Sequence, residues 1–182
     1  MPIEEAGGGP RTRRSDRPLV YLTFGTVFND PSPLFRAALD GVAGHDVDVL
    51  VTVGPKGDPA ALGPVPAHVQ VERYVPQTRL LPGCSVVVSH AGSGTFLATL
   101  GFGIPQLCLP QAADQFLNAA QGAANGAAIT VPPEQLTAET VHAALGRLLG
   151  EPAFGAAAGR VAAEIAAMPG PDEVAAVVEA LA

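Results

Sequence analysis

The sequence predicts an α/β fold: a parallel sheet with helices on both faces. Three observations predict it. Short apolar runs alternate with stretches of helical periodicity along most of the 182 residues. The runs are continuously apolar rather than alternating, as strands covered on both faces are. Each run ends in a polar or glycine-bearing exit, and in such sheets ligands sit beyond the carboxyl ends of the strands.

Residues 1–17, MPIEEAGGGPRTRRSDR, are polar and glycine-rich without periodicity, and read as a linker or tail. Arg11, Arg13 and Arg14 in it read as a solvated run. Residues 18–182 form one domain. Its first strand is 19–22, which leaves through Thr23-Phe24-Gly25-Thr26. A helix over 33–43 follows, with Leu34, Phe35, Ala38, Leu39 and Val42 on one face. Residues 47–53 are the second strand. The Gly/Pro-rich stretch 54–66 is a loop, and 69–71 is a short strand with the exit Tyr74-Val75-Pro76-Gln77. A helical turn at 78–81 precedes the stretch on which the chain is organised, VVVSHAGSGTFLATLGFGIPQLCLPQAADQ, residues 86–115.

That stretch opens with a strand at 86–88. His90 and a glycine turn, Gly92, Ser93, Gly94 and Thr95, lead into a helix from Phe96. Glycines let a backbone approach a ligand closely, and the first helical N–H groups have no internal partner, so a diphosphate is the natural guest. The next strand, 106–109, exits through Pro110 to Gln115, where Asp114 and Gln115 are placed to grip hydroxyls. Phosphate grip and hydroxyl grip together suggest a nucleotide-sugar. Alternatives exist for each feature: His90 as a turn cap, HAGSGT as a tight turn without a ligand, and Asp114-Gln115 as a helix N-cap pair. A helix at 116–125, a strand at 128–131 and helices at 141–149, about 153–168 and from Asp172 complete the chain.

Composition narrows the function. A net charge of −7 argues against nucleic acid or an anionic membrane as partner. Cys84 and Cys108 flank apolar runs without metal-ligand spacing and read as reduced core residues of a cytoplasmic protein. No stretch reads as a membrane span or signal peptide. Tyr74 reads as a core candidate, and His45, His68 and His142 as surface residues. No metal cluster, carboxylate pair or Ser–His–Asp set suggests a base.

The order Thr23-Phe24-Gly25-Thr26, Val75-Pro76-Gln77, HAGSGT and PQAADQ resembles the C-terminal half of family 1 GT-B glycosyltransferases, in particular the bacterial type that decorates macrolides and enediynes. The resemblance covers residues 17–182. It implies a Rossmann-like, nucleotide-sugar donor-binding domain for inverting transfer to a small-molecule natural product, without metal or cofactor. It assigns Thr26, Val75, Gln77, His90, Gly92, Ser93, Gly94 and Thr95 to the nucleotide diphosphate, with His90 stabilising the leaving group. Asp114 and Gln115 are assigned to the sugar. Plant members of the family carry a glutamate where Ala98 stands, to hold both ribose hydroxyls. Its loss here points to a dTDP-sugar. The acceptor pocket and the base are expected in an N-terminal half outside this chain, so that the chain alone is inactive. The last helix resembles the segment that crosses to that half, and self-association through its apolar face is a further expectation. Two other readings stay open: a non-catalytic nucleotide-binding module or subunit, and an epimerase of related fold, which would need acid–base residues of its own.

Overall fold

The structure, a computed structural model, describes residues 16–25 and 33–181. Six strands form one parallel sheet: β1 (Leu19–Thr23), β2 (Asp48–Thr52), β3 (Val69–Glu72), β4 (Val86–Ser89), β5 (Gln106–Cys108) and β6 (Ala128–Thr130). Their order is β3-β2-β1-β4-β5-β6. The chain winds outward from β1 through β2 to β3, then returns to the other side of β1 and winds out again. The reversal leaves a crevice between the carboxyl ends of β1 and β4, where doubly wound sheets bind ligands. Register pairs Thr23 with Ser89, so the exits of these two strands start level with each other.

The helices are α1 (Pro33–Ala43), α2 (Gln77–Leu80), α3 (Ser93–Gly101), α4 (Gln115–Ala124), α5 (Ala138–Gly150), α6 (Pro152–Ala166) and α7 (Pro171–Ala180). The continuous apolar strands divide their side chains between two layers by the two-residue period of a strand. Val20 and Leu22 of β1 pack with Phe35, Leu39 and Val42 of α1 and Val141 and Leu145 of α5. Leu19 and Tyr21 pack on the other face with Leu80, Leu81 and Ile104. A third cluster joins Phe96 and Leu100 of α3 to Ala119 of α4 and to Ala157 and Ala158 of α6. Gly41 lets α1 and α5 cross closely: a Cβ there would lie 2.6 Å from the Ala138 carbonyl oxygen.

The expected α/β architecture is the observed one, with local differences. The 54–66 loop contains a single 3-10 turn, Pro59–Leu62, capped by the Asp58 carboxylate. Arg17, counted with the tail in the sequence, is tied to Asp48 at 2.8 Å and to Asp46 at 3.1 Å. The histidines expected at the surface fasten segments together. His45 stacks on His142 with ring centroids 3.9 Å apart, and a His68 ring nitrogen lies 3.0 Å from the Ala43 carbonyl oxygen. Both cysteines are free, and burial pushes their thiols up to about 12. Among the described residues no helix is long and apolar enough to cross a membrane.

Candidate functional site

A cavity of about 680 Å³ opens at the carboxyl edge of the sheet. Its volume lies within the ~300–1,000 Å³ common for small-molecule sites. Val75, Gln77, His90, Gly92, Ser93, Gly94, Thr95, Asp114 and Gln115 all line it, so nine residues from three strand exits and the helix starts that follow them converge on one crevice, as the sequence reading expects. Thr26 lies outside the described residues.

One wall is the start of α3. Ser93, Gly94 and Thr95, expected as a turn, are the first turn of the helix, and Gly92 is its N-cap. The first intrahelical bond runs from Phe96 N–H to the Gly92 carbonyl at 2.9 Å, and no side chain caps the helix. The amides of residues 93–95 are left for a ligand, at the positive end of the helix dipole.

The His90 ring is wedged beside this helix start. A Cβ on Gly25 would lie 2.7 Å from His90 Cε1; one on Gly92 would lie 2.9 Å from the same atom and closer still to Nε2. Two glycines thus form the slot that holds the imidazole. Gly25 also needs its φ of +76°, which an L side chain rarely adopts. A chain of buried hydroxyls steadies Gly25. Tyr21 Oη is 2.8 Å from Thr52 Oγ1, Thr52 donates to Thr23 Oγ1 at 2.9 Å, and the Gly25 N–H donates to the same oxygen at 3.2 Å. His90 Nδ1 is buried with no hydrogen-bond partner among the described residues. Burial lowers the ring's pKa, with a smaller opposing pull from Asp114, so the imidazole is neutral at pH 7.

The adjoining wall is the start of α4. Asp114 occupies the N-cap position, yet its side chain makes no cap bond. Its Oδ2 accepts instead from Ser93 Oγ at 2.5 Å and from Asn118 Nδ2 at 3.2 Å, which hold its carboxyl below the usual range. Gln115 is buried, and its Oε1 accepts from the Gln111 and Ala112 N–H groups at 2.8 and 3.1 Å, bracing the β5–α4 loop. Ala91 and Ala113, each immediately before a helix N-cap, have φ of 62° and 54°. They are the non-glycine residues with positive φ among those described. Backbone of this kind costs about 1–3 kcal/mol and gathers at functional sites. Ala91 is held by its N–H bond to Ser89 Oγ and by Asn118 Nδ2 on its carbonyl.

The third wall is the β3 exit. The Val75 side chain is buried in the core, leaving its backbone as the part available to the cavity. Gln77 donates through Nε2 to Thr95 Oγ1 at 2.9 Å, tying this exit to α3. Tyr74, a core candidate in the sequence, is 53% exposed and lines the mouth. The hydroxyl chain and Asn118 escape a reading of the sequence. Their signals are faint: a threonine closing each of two apolar strands, and an amide one helical turn beyond Asp114. Among the described residues no group of three His, Cys, Asp or Glu could hold a metal ion.

The sequence matches the family described as Erythromycin biosynthesis protein CIII-like, C-terminal domain, over residues 36–181. The chain belongs to this family. It is 38% identical over 97% of its length to elloramycin glycosyltransferase ElmGT of Streptomyces olivaceus, and 38% identical over 87% to tylactone mycaminosyltransferase of Streptomyces fradiae. It covers 44% and 36% of those proteins. Among solved structures, spinosyn rhamnosyltransferase SpnG complexed with thymidine diphosphate superposes with a TM-score of 0.86 at 32% identity, over 96% of this chain and 49% of that one. The fold is that of a GT-B glycosyltransferase domain. The chain spans half or less of the length of these relatives.

Proposed function

We propose that this chain is the donor-binding half of an inverting natural-product glycosyltransferase, and that its donor is a dTDP-sugar. The observation that carries the reading is one cavity with two unlike walls. An uncapped helix N-terminus beside a neutral imidazole adjoins a carboxylate and an amide on the same cavity. The first wall suits a diphosphate, whose oxygens would take the amides of residues 93–95 and a ring N–H of His90. The second suits sugar hydroxyls, which can donate to Asp114 and accept from the Gln115 amide nitrogen. The backbone of Val75 faces the base. Ala98 on α3 also lines the cavity and presents a methyl group, which asks nothing of a deoxyribose.

In the reaction an acceptor hydroxyl oxygen attacks the anomeric carbon as the bond from that carbon to the diphosphate oxygen breaks. A single displacement inverts the centre. Negative charge grows on the departing diphosphate, where the helix amides and a His90 N–H stabilise it without reorganising. The acceptor's proton goes to a base assigned to the other half of the enzyme. Calorimetry and a co-crystal with dTDP test the reading. The pyrophosphate is expected on the α3 N-terminus, and His90→Ala should weaken dTDP about 10- to 100-fold, the loss of one hydrogen bond to a charged group. Pyrophosphate bound elsewhere, or no binding, overturns it.

A further inference from the structure

We infer that Asn118 is a positioning residue of this site: it keeps the Asp114 carboxylate aimed at the sugar when the Ser93 hydroxyl turns to the diphosphate. The inference rests on the donor-site reading above.

Asn118 sits half-buried on α4, one helical turn past Asp114. Its Nδ2 lies 2.9 Å from the Ala91 carbonyl oxygen, 3.1 Å from Ser93 Oγ and 3.2 Å from Asp114 Oδ2. An amide nitrogen has two hydrogens, so three acceptors cannot all be served in full. The Ser93 hydroxyl has one hydrogen, and it goes to Asp114 at 2.5 Å. The contacts form a relay: Asn118 donates one hydrogen to Ala91 and shares the other between Ser93 and Asp114, and Ser93 donates to Asp114. In that state Ser93 has no hydrogen left for a phosphate oxygen. When Ser93 turns to the diphosphate by rotation about its Cα–Cβ bond, its oxygen moves away from both Asp114 and the Asn118 hydrogen it was accepting. That hydrogen has Asp114 as its nearest remaining acceptor. The carboxylate thus exchanges one donor for another and keeps its orientation. The second hydrogen stays on Ala91, whose left-handed backbone sets the start of α3. One side chain thereby joins the loop before α3 to the start of α4. Of the charged or titratable groups that line the cavity, His90, Arg73 and Tyr74, His90 exerts a Coulombic pull on Asp114.

The test follows the Asp114 carboxyl carbon by NMR against pH, in the free chain and with saturating dTDP. Compared are wild type, Asn118→Ala, the near-isosteric but uncharged Asn118→Leu and Ser93→Ala. Thermal melting establishes that each variant folds, and either Asn118 variant suffices. The Asp114 midpoint should rise in both Asn118 variants relative to wild type, most clearly with dTDP bound. Ser93→Ala should raise it in the free chain and match wild type once dTDP is bound. Asn118→Leu should weaken dTDP-glucose about tenfold more than it weakens dTDP. A merely structural role would lower the melting temperature and leave the midpoint alone. If dTDP binds wild type and the bound Asn118 variants titrate as wild type does, the Asn118 assignment falls. If dTDP does not bind wild type, the donor reading itself falls.

Discussion

Gly92→Ala isolates the imidazole slot. At Gly92 φ is −61° and ψ 140°, a conformation open to any residue, so alanine brings no backbone strain. Its methyl would stand 2.9 Å from His90 Cε1 and nearer to Nε2, well inside the ~3.5–4.0 Å of an unstrained contact. Gly25 crowds the ring as well: a Cβ there would lie 2.7 Å from His90 Cε1, so little room is left for it to slide. It must swing out, or the start of α3 must shift. Overpacking of this kind costs about 1–3 kcal/mol. A His90 N–H lost to the diphosphate is worth about 1.5–3 kcal/mol, so dTDP affinity should fall about 10- to 100-fold. Calorimetry on the double-mutant cycle with His90→Ala gives the decisive reading. With the imidazole gone, Gly92→Ala should change dTDP affinity by less than about 0.5 kcal/mol. An undiminished loss in the His90→Ala background would show that the methyl acts on the helix amides and not through the ring, and would refute the slot.

Three further outcomes are expected. Burial holds the His90 pKa below its ordinary 6.5, so between the two values the unfolded chain binds more protons than the folded one. The stability contributed by the neutral ring is complete above 6.5 and is lost as pH falls through the folded value. Thermal melting from pH 7.5 to 5 should therefore be less steep in His90→Asn than in wild type. Ala98→Glu places a carboxylate on the cavity wall able to accept from two ribose hydroxyls, and should move the preference from dTDP toward UDP by about tenfold in calorimetry. An unchanged ratio would place the ribose elsewhere. Gly41→Val would drive its Cβ to within 2.6 Å of the Ala138 carbonyl oxygen and 2.7 Å of Val141 Cβ. It should cost about 1–3 kcal/mol, and each kcal/mol lowers Tm by about 2–4 °C in a chain of this size. An unaltered Tm would mean that α1 and α5 cross less closely than this.

The sheet was legible because each strand is a local apolar run closed by a local breaker. β4 and β5 read directly from Val86-Val87-Val88 and from Gln106 to Leu109, and the polar exits marked the edge on which the site lies. The same locality explains what was missed. Tyr74 has the composition of a core residue, and nothing near it in sequence says that the β3 exit turns it outward. His45 and His142 are separated by most of the sheet and meet only because α1 packs along α5. Asp114 could be read as a helix cap or as a ligand group. The structure gives it the cap position and sends its carboxylate to Ser93 at the start of α3.

By itself the sequence determined the elements, their parallel arrangement and the loops that carry chemistry, since hydrophobic period and turn chemistry act over a few residues. Only the tertiary structure decided how those loops meet. Gly25 closes on His90 because β1 and β4 pair with Thr23 level with Ser89, and Asn118 reaches Ala91 because α4 lies beside the start of α3. Such contacts depend on strand register and helix placement over tens of residues, and no local pattern in the chain encodes them.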